Sequence, residues 1–152
     1  MTAPDLPGVL GDLVAVNHRL TRLAATATGS TESSAVWRTL SVLRDVGPMR
    51  LGELARVSRV SQPTMTKLVH ALHERGWIRR IADPSDARAW LISADRHGIA
   101  ALDAWHAELV GALAPAFAHL DRDELATLAR AVEIVRAQLE RVRDAATTGA
   151  AA

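Results

Sequence analysis

Between Leu51 and Ser93 the spacing of apolar residues changes its period, and the order of those changes constrains the fold more than any other feature of the chain. Leu51, Leu54 and Ala55 sit at helical spacing and run out at Ser58-Arg59-Val60. Ser61 then stands as an N-cap, with Pro63 in the first turn, where its missing N–H costs nothing. Met65, Leu68, Val69 and Leu72 make a second apolar stripe, stopped by Gly76 at a C-terminal cap position. The period then drops to that of strands. Trp77 to Ile81 and Ala89 to Ser93 are rich in β-branched and aromatic residues, and the polar stretch Ala82 to Arg88, headed by Asp83-Pro84, joins them. This predicts a β-hairpin with a loop longer than a tight turn needs. Two short helices around a break, then a hairpin, read as a helix-turn-helix followed by a two-stranded wing.

Longer helices flank this middle. Val9, Leu13, Val16, Leu20 and Leu23 alternate spacings of four and three, one stripe on a helix over 9–27. A second helix starts at Glu32 or Ser33, buries Val36, Leu40 and Leu43 with Trp37 beside them, and ends at Gly47-Pro48. A fifth runs from Asp95 to Ala118 with Pro115 late in it. Asp121 and Glu124 form an Asp variant of the capping box before a last helix. Its Leu125, Leu128, Val132, Val135, Leu139 and Val142 form a seam of period 3.5, which suits packing within one chain or across two. The expected organisation is a flexible 1–8, supporting helices over 9–46, a winged lobe over 48–94, terminal helices over 95–143, and a small, polar, disordered tail over 144–152. The fold class is mainly α, with a minor β component.

Composition removes several functions. The 152 residues contain no cysteine, so disulfides, thiolate metal sites and thiol redox switches are excluded. No apolar run is long enough to span a bilayer, and Met1 to Gly8 lacks the basic-then-apolar pattern of a signal peptide, so a cytoplasmic location without membrane contact is expected. Gly-rich phosphate loops, nucleophile motifs and paired carboxylates in apolar settings are absent, so no catalysis and no cofactor are expected. His70 and His73 lie three apart with Glu74 adjacent, but a full metal site needs further ligands from elsewhere, and none is expected. Overall charge is +1, yet Arg50 to Arg88 carries +4 and the remainder −3, a basic centre suited to a polyanion.

The second helix of the middle region carries the functional argument. Its inner stripe locks it into a domain. Its outer face is Ser61, Gln62, Pro63, Thr64, Thr66, Lys67 and His70, groups that hydrogen-bond bases or phosphates without acidic conflict. The expected partner is double-stranded DNA. Two other classes stay open: a winged module for protein contact, and a ligand or metal carrier without a DNA role. An apolar outer face would favour the first, and the +4 segment argues against the second.

These residues resemble the MarR family of bacterial regulators. The resemblance rests on Leu51-Gly52-Glu53-Leu54-Ala55, Val60 to Val69, Leu72 to Arg80, Asp83-Pro84-Ser85-Asp86-Ala87-Arg88, Leu91-Ile92-Ser93 and Gly98, and spans about 9–143. It implies a homodimeric transcriptional repressor on a pseudo-palindromic operator, with half-site centres about 34–36 Å apart. The dimer would form through the terminal helices, with Val9, Leu13 and the seam Leu125, Leu128, Val132, Val135, Leu139 and Val142 at its interface. By the same resemblance Asp86 would hold the wing loop and Arg88 would enter the minor groove; the bland alternative is a local Asp86–Arg88 ion pair. Ala87 stands where the family often has a second basic residue. The family also implies a small aromatic or phenolic anion as ligand. His18, Arg22, Trp37 and Arg38 are the candidates to hold it, with Trp37 as a core residue the competing assignment.

Overall fold

A computed structural model describes residues 5–29 and 31–149. The elements run α1 (Leu6–Thr28), α2 (Ser34–Asp45), α3 (Leu51–Val57), α4 (Gln62–Glu74), β1 (Ile78–Asp83), β2 (Asp86–Ala94), α5 (Arg96–Phe117) and α6 (Arg122–Gly149). The strands pair antiparallel, and Met49 forms a two-bond bridge to Ile92 beside them. The mainly α winged helix-turn-helix is therefore present as expected. By compactness the chain divides at Leu113/Ala114 into two units.

The first unit holds the core. Leu40 of α2, Leu54 of α3, Met65, Val69 and Leu72 of α4, Ile78 and Ile92 of the hairpin and Leu102 of α5 are all essentially inaccessible. Three of the four tryptophans are joined in one stack. Trp37 lies between Trp77 (ring centroids 5.8 Å) and Trp105 (4.9 Å, rings nearly parallel), and the Arg75 guanidinium covers Trp77 at 3.6 Å. Such pairs add to simple burial because offset rings and a cation both suit the ring quadrupole.

Both ends of the helix-turn-helix close by the same device. After α4, Gly76 N–H bonds to His73 C=O and Trp77 N–H to Leu72 C=O, with Gly76 at φ +68°. After α3, Arg59 N–H bonds to Arg56 C=O and Val60 N–H to Ala55 C=O. These are Schellman caps, which need a left-handed residue. In the second, that residue is Arg59 at φ 55°, where a side chain is strained by roughly 1–2 kcal/mol.

Three expectations are corrected. The N-terminal segment is not wholly flexible: the Asp5 side chain accepts the Gly8 N–H and caps α1, so helix begins at Leu6; residues 1–4 lie outside the described residues. Pro7 is in the first turn, where it starts a helix rather than breaking one. The tail is not irregular from Asp144, since α6 continues to Gly149, and 150–152 lie outside the described residues. The hairpin loop is not long: Asp83 pairs with Asp86 across a two-residue Pro84-Ser85 turn, and the surplus residues Ala87, Arg88 and Ala89 form an unpaired bulge in β2.

In the second unit, Asp121 and Glu124 bond reciprocally, each side chain to the other's N–H (2.8 and 3.0 Å), so the capping box starts α6 as the sequence predicts.

Gly98 lets α5 approach the root of the wing: a Cβ there would meet the Trp77 carbonyl group and touch Leu40. Gly98→Ala is expected to destabilise the protein by about 1–3 kcal/mol through overpacking. Thermal or urea melts check this; an unchanged midpoint would contradict the packing.

Candidate nucleic-acid interface

The seat of α4 is made by Met65, Val69 and Leu72, which are buried, leaving Gln62, Pro63, Thr64, Thr66, Lys67 and His70 exposed on the other side. Ser61 caps the helix by accepting the Thr64 N–H (3.3 Å), and its hydroxyl also bonds the Thr64 hydroxyl at 2.8 Å. The Thr66 hydroxyl donates to the Gln62 carbonyl. Two of the expected base-reading hydroxyls, Ser61 and Thr64, are thus engaged with each other. Gln62 and Lys67 are free to reach outward, while His70 lies 3.4 Å from Glu74. Among the described residues, no group of three His, Asp or Glu is placed to hold a metal ion.

The basic centre divides into paired and unpaired cations. Arg75 pairs with Glu32 at 2.7 Å while covering Trp77, and Arg50 pairs with Asp83. Arg79 stands in the field of Asp95. Arg56, Arg59, Lys67, Arg80 and Arg88 are exposed and make no ion pair among the described residues. Surface cations left unpaired beside a seated helix and a wing suit a phosphate backbone.

The wing is held chiefly by Asp83, a residue that the sequence reading treats only as the head of a loop. Its buried carboxylate accepts the Ser85 hydroxyl (2.7 Å) and N–H (2.9 Å), and both Nε (2.8 Å) and Nη2 (2.7 Å) of Arg50. The Ser85 bonds and then the Arg50 guanidinium hold its carboxyl at about 2, well below the usual carboxylate range. Asp86 plays a lesser part: it accepts the Arg88 N–H at 3.0 Å and lies 3.6 Å from Arg50. Its partner is therefore the Arg88 backbone, and the Arg88 guanidinium is left exposed. The Asx pattern of Asp83-Pro84-Ser85, a side chain accepting two residues on, is the sequence signal that could have found the lock.

The first unit also holds a cavity of about 420 Å³, lined by residues that include Thr21, Glu32, Trp37, Arg38, Trp105 and His106. Of the four expected ligand residues, Trp37 and Arg38 line it. His18 and Arg22 are exposed on α1 and are not among its lining residues. Trp37 is both wall and core, being buried with its Nε1–H unpaired by protein. Arg38 donates from Nη1 to the Ser58 carbonyl (3.1 Å), the cap residue of α3.

Residues 33–90 match the model of the MarR family. A helix-turn-helix transcriptional regulator of Mycobacterium bovis is 31% identical over 101 residues, spanning 66% of this chain and 71% of the relative. The chain belongs to the MarR family. The transcriptional repressor NicR of Pseudomonas putida is 36% identical over 66 residues, 43% of this chain and 42% of that protein. The structure of wild-type MarR from E. coli aligns over 89% of this chain and 98% of that one, with 25% identity and a TM-score of 0.63. This MarR-family chain is accordingly a transcriptional regulator with a DNA-binding fold, in a family of regulators and not of enzymes. No helix among the described residues is long and apolar enough to cross a membrane.

A carboxyl held at about 2 when folded, against about 3.9 when unfolded, contributes stability that is present above pH 4 and lost as pH falls through 2. Asp83→Asn is therefore expected to lower stability by a constant amount above about pH 5, with the difference shrinking as pH falls towards 2. Urea melts of both proteins across this range measure it; a gap that widens on acidification would contradict the Asp83 lock.

Proposed function

We propose that this protein is a homodimeric repressor of transcription that grips a pseudo-palindromic duplex through α4 and the wing. The observation that carries the reading is the pairing pattern: the acids of the wing are bound to Arg50 and to backbone, while Lys67 on the polar face of α4 and Arg80 and Arg88 on the wing stay exposed without an ion pair among the described residues. In this reading Gln62, Lys67 and His70 enter the major groove, Ser61, Pro63, Thr64 and Thr66 shape the entry of the helix, and Arg88 reaches the minor groove. Relatives named as repressors, NicR and MarR, support the negative sign of control.

The dimer has support of its own. MarR-family regulators act as dimers. On α1, Val9 and Leu13 are exposed, and on α6 so are Leu125, Leu128, Val132, Leu139 and Val142, with Val135 half-buried among them. A second copy is the occupant proposed for these two seams, setting the half-sites about one helical turn apart.

Control by a small aromatic acid is the last part of the proposal. The cavity has a tryptophan wall for a ring, and in Arg38 a cation for a carboxylate. Arg38 is also bonded to the helix-turn-helix at Ser58. An anion that draws Arg38 off that carbonyl would loosen the turn between α3 and α4. It would weaken DNA binding by as much as it prefers the loosened state.

Arg88→Ala and Lys67→Ala are each expected to weaken operator binding and reduce the salt slope by about one unit. Fluorescence anisotropy over a salt series checks this, and an unchanged affinity of Arg88→Ala would remove the wing contact. Arg38→Ala is expected to bind the operator more weakly than wild type and to lose any response to benzoate; wild-type affinity in this variant would refute the coupling.

A further inference from the structure

Trp90 is the tryptophan left out of the stack. It lies on β2 opposite Ala82, just after the Ala87–Ala89 bulge, and is 59% exposed. It makes no ring contact among the described residues, whereas the other three rings are joined. Leaving an indole in water forgoes the burial that usually places it in a core. The strand register sets cations near it: Arg80 stands two residues before its partner Ala82 and Arg88 two residues before Trp90 itself, both exposed, while the acids Asp83 and Asp86 are taken up by Arg50 and the wing's own residues. Ala82 and Ala87 add no bulk around it.

We infer that Trp90 is a docking surface for duplex DNA, packing its indole against the deoxyribose of the backbone that borders the groove entered by the wing. This rests on the DNA-binding reading above and deepens it. The chemistry is complementary on both counts: the ring is apolar like the sugar face, and its N–H can donate to a phosphate oxygen. A cationic rim around one exposed aromatic favours a polyanion over an apolar protein groove. The contact reads no base and displaces no counterion, so it adds affinity equally to all sequences and leaves the salt dependence untouched. That separates Trp90 from Arg88, whose contribution is electrostatic.

The test uses the full chain, its upstream intergenic duplex and a pool of random duplexes, titrated by anisotropy over a salt series. Trp90→Ala is expected to weaken both by the same factor, about five- to tenfold, with the wild-type salt slope. Arg88→Ala should instead reduce the slope. Trp90 is the exposed ring of the four, so DNA should shift the tryptophan emission of the wild type and leave that of Trp90→Phe nearly still. Unchanged affinity in Trp90→Ala, a loss confined to the upstream duplex, or an emission change that persists in Trp90→Phe would each overturn the inference. A protein partner for the indole would give the first of these outcomes. A wild-type protein that binds neither duplex would overturn the DNA-binding reading itself, and Trp90 with it.

Discussion

The surface proposed to meet DNA depends on how Trp77 is held. Its N–H closes the cap of α4, its carbonyl accepts the Asp95 N–H at the start of α5, and its ring lies between Trp37 and the Arg75 guanidinium. Gly98 is the position that lets α5 come against its backbone. One residue thus sets where the recognition helix ends, where the wing begins and where the supporting helix packs. A helix and a wing can address adjacent grooves only if the angle between them is fixed. Here it is fixed by hydrogen bonds and ring contacts concentrated at their junction, inside a core whose members are almost fully buried.

The charges follow from that scaffold. Cations with structural work are neutralised: Arg50 secures the wing through Asp83, and Arg75 joins Glu32 to Trp77. Those on the outer side of α4 and along the wing are not. Arg59 is the sharpest case, an unpaired arginine at φ 55°, in a cap position where glycine is the easier residue. Arg38 reaches the turn between α3 and α4 from the cavity side, through its bond to the Ser58 carbonyl.

Much of this was legible in the sequence, for identifiable reasons. Helical periodicity marked the inner face of α4, and Ser61, Pro63 and Gly76 marked its ends, because caps are local chemistry. The Asp121–Glu124 box was legible for the same reason. What periodicity could not reveal was contact between distant residues. Nothing in the spacing of Trp37, Trp77 and Trp105 says that they stack, and the Arg50–Asp83 lock spans 33 positions. The first turn of α1 is hidden in the sequence because its apolar stripe begins only at Val9, while its start is set by a single side-chain cap, Asp5. The short turn of the wing is not legible either, because a bulge and a loop look alike in polar, small residues. Two ligand-pocket candidates on α1, His18 and Arg22, had the right chemistry, but neither lines the cavity, whose α1 lining includes Thr21, Ala25 and Thr28.

The central claim is that this chain recognises a particular duplex sequence, beyond attraction to phosphate. Anisotropy of the purified protein on its own upstream intergenic DNA and on random duplexes, across a salt series, tests it most directly. The account predicts tight binding to the upstream duplex, at least about a thousandfold above the random pool at physiological salt, saturating at one dimer per site. Equal and weak binding to both, even at low salt, would contradict it.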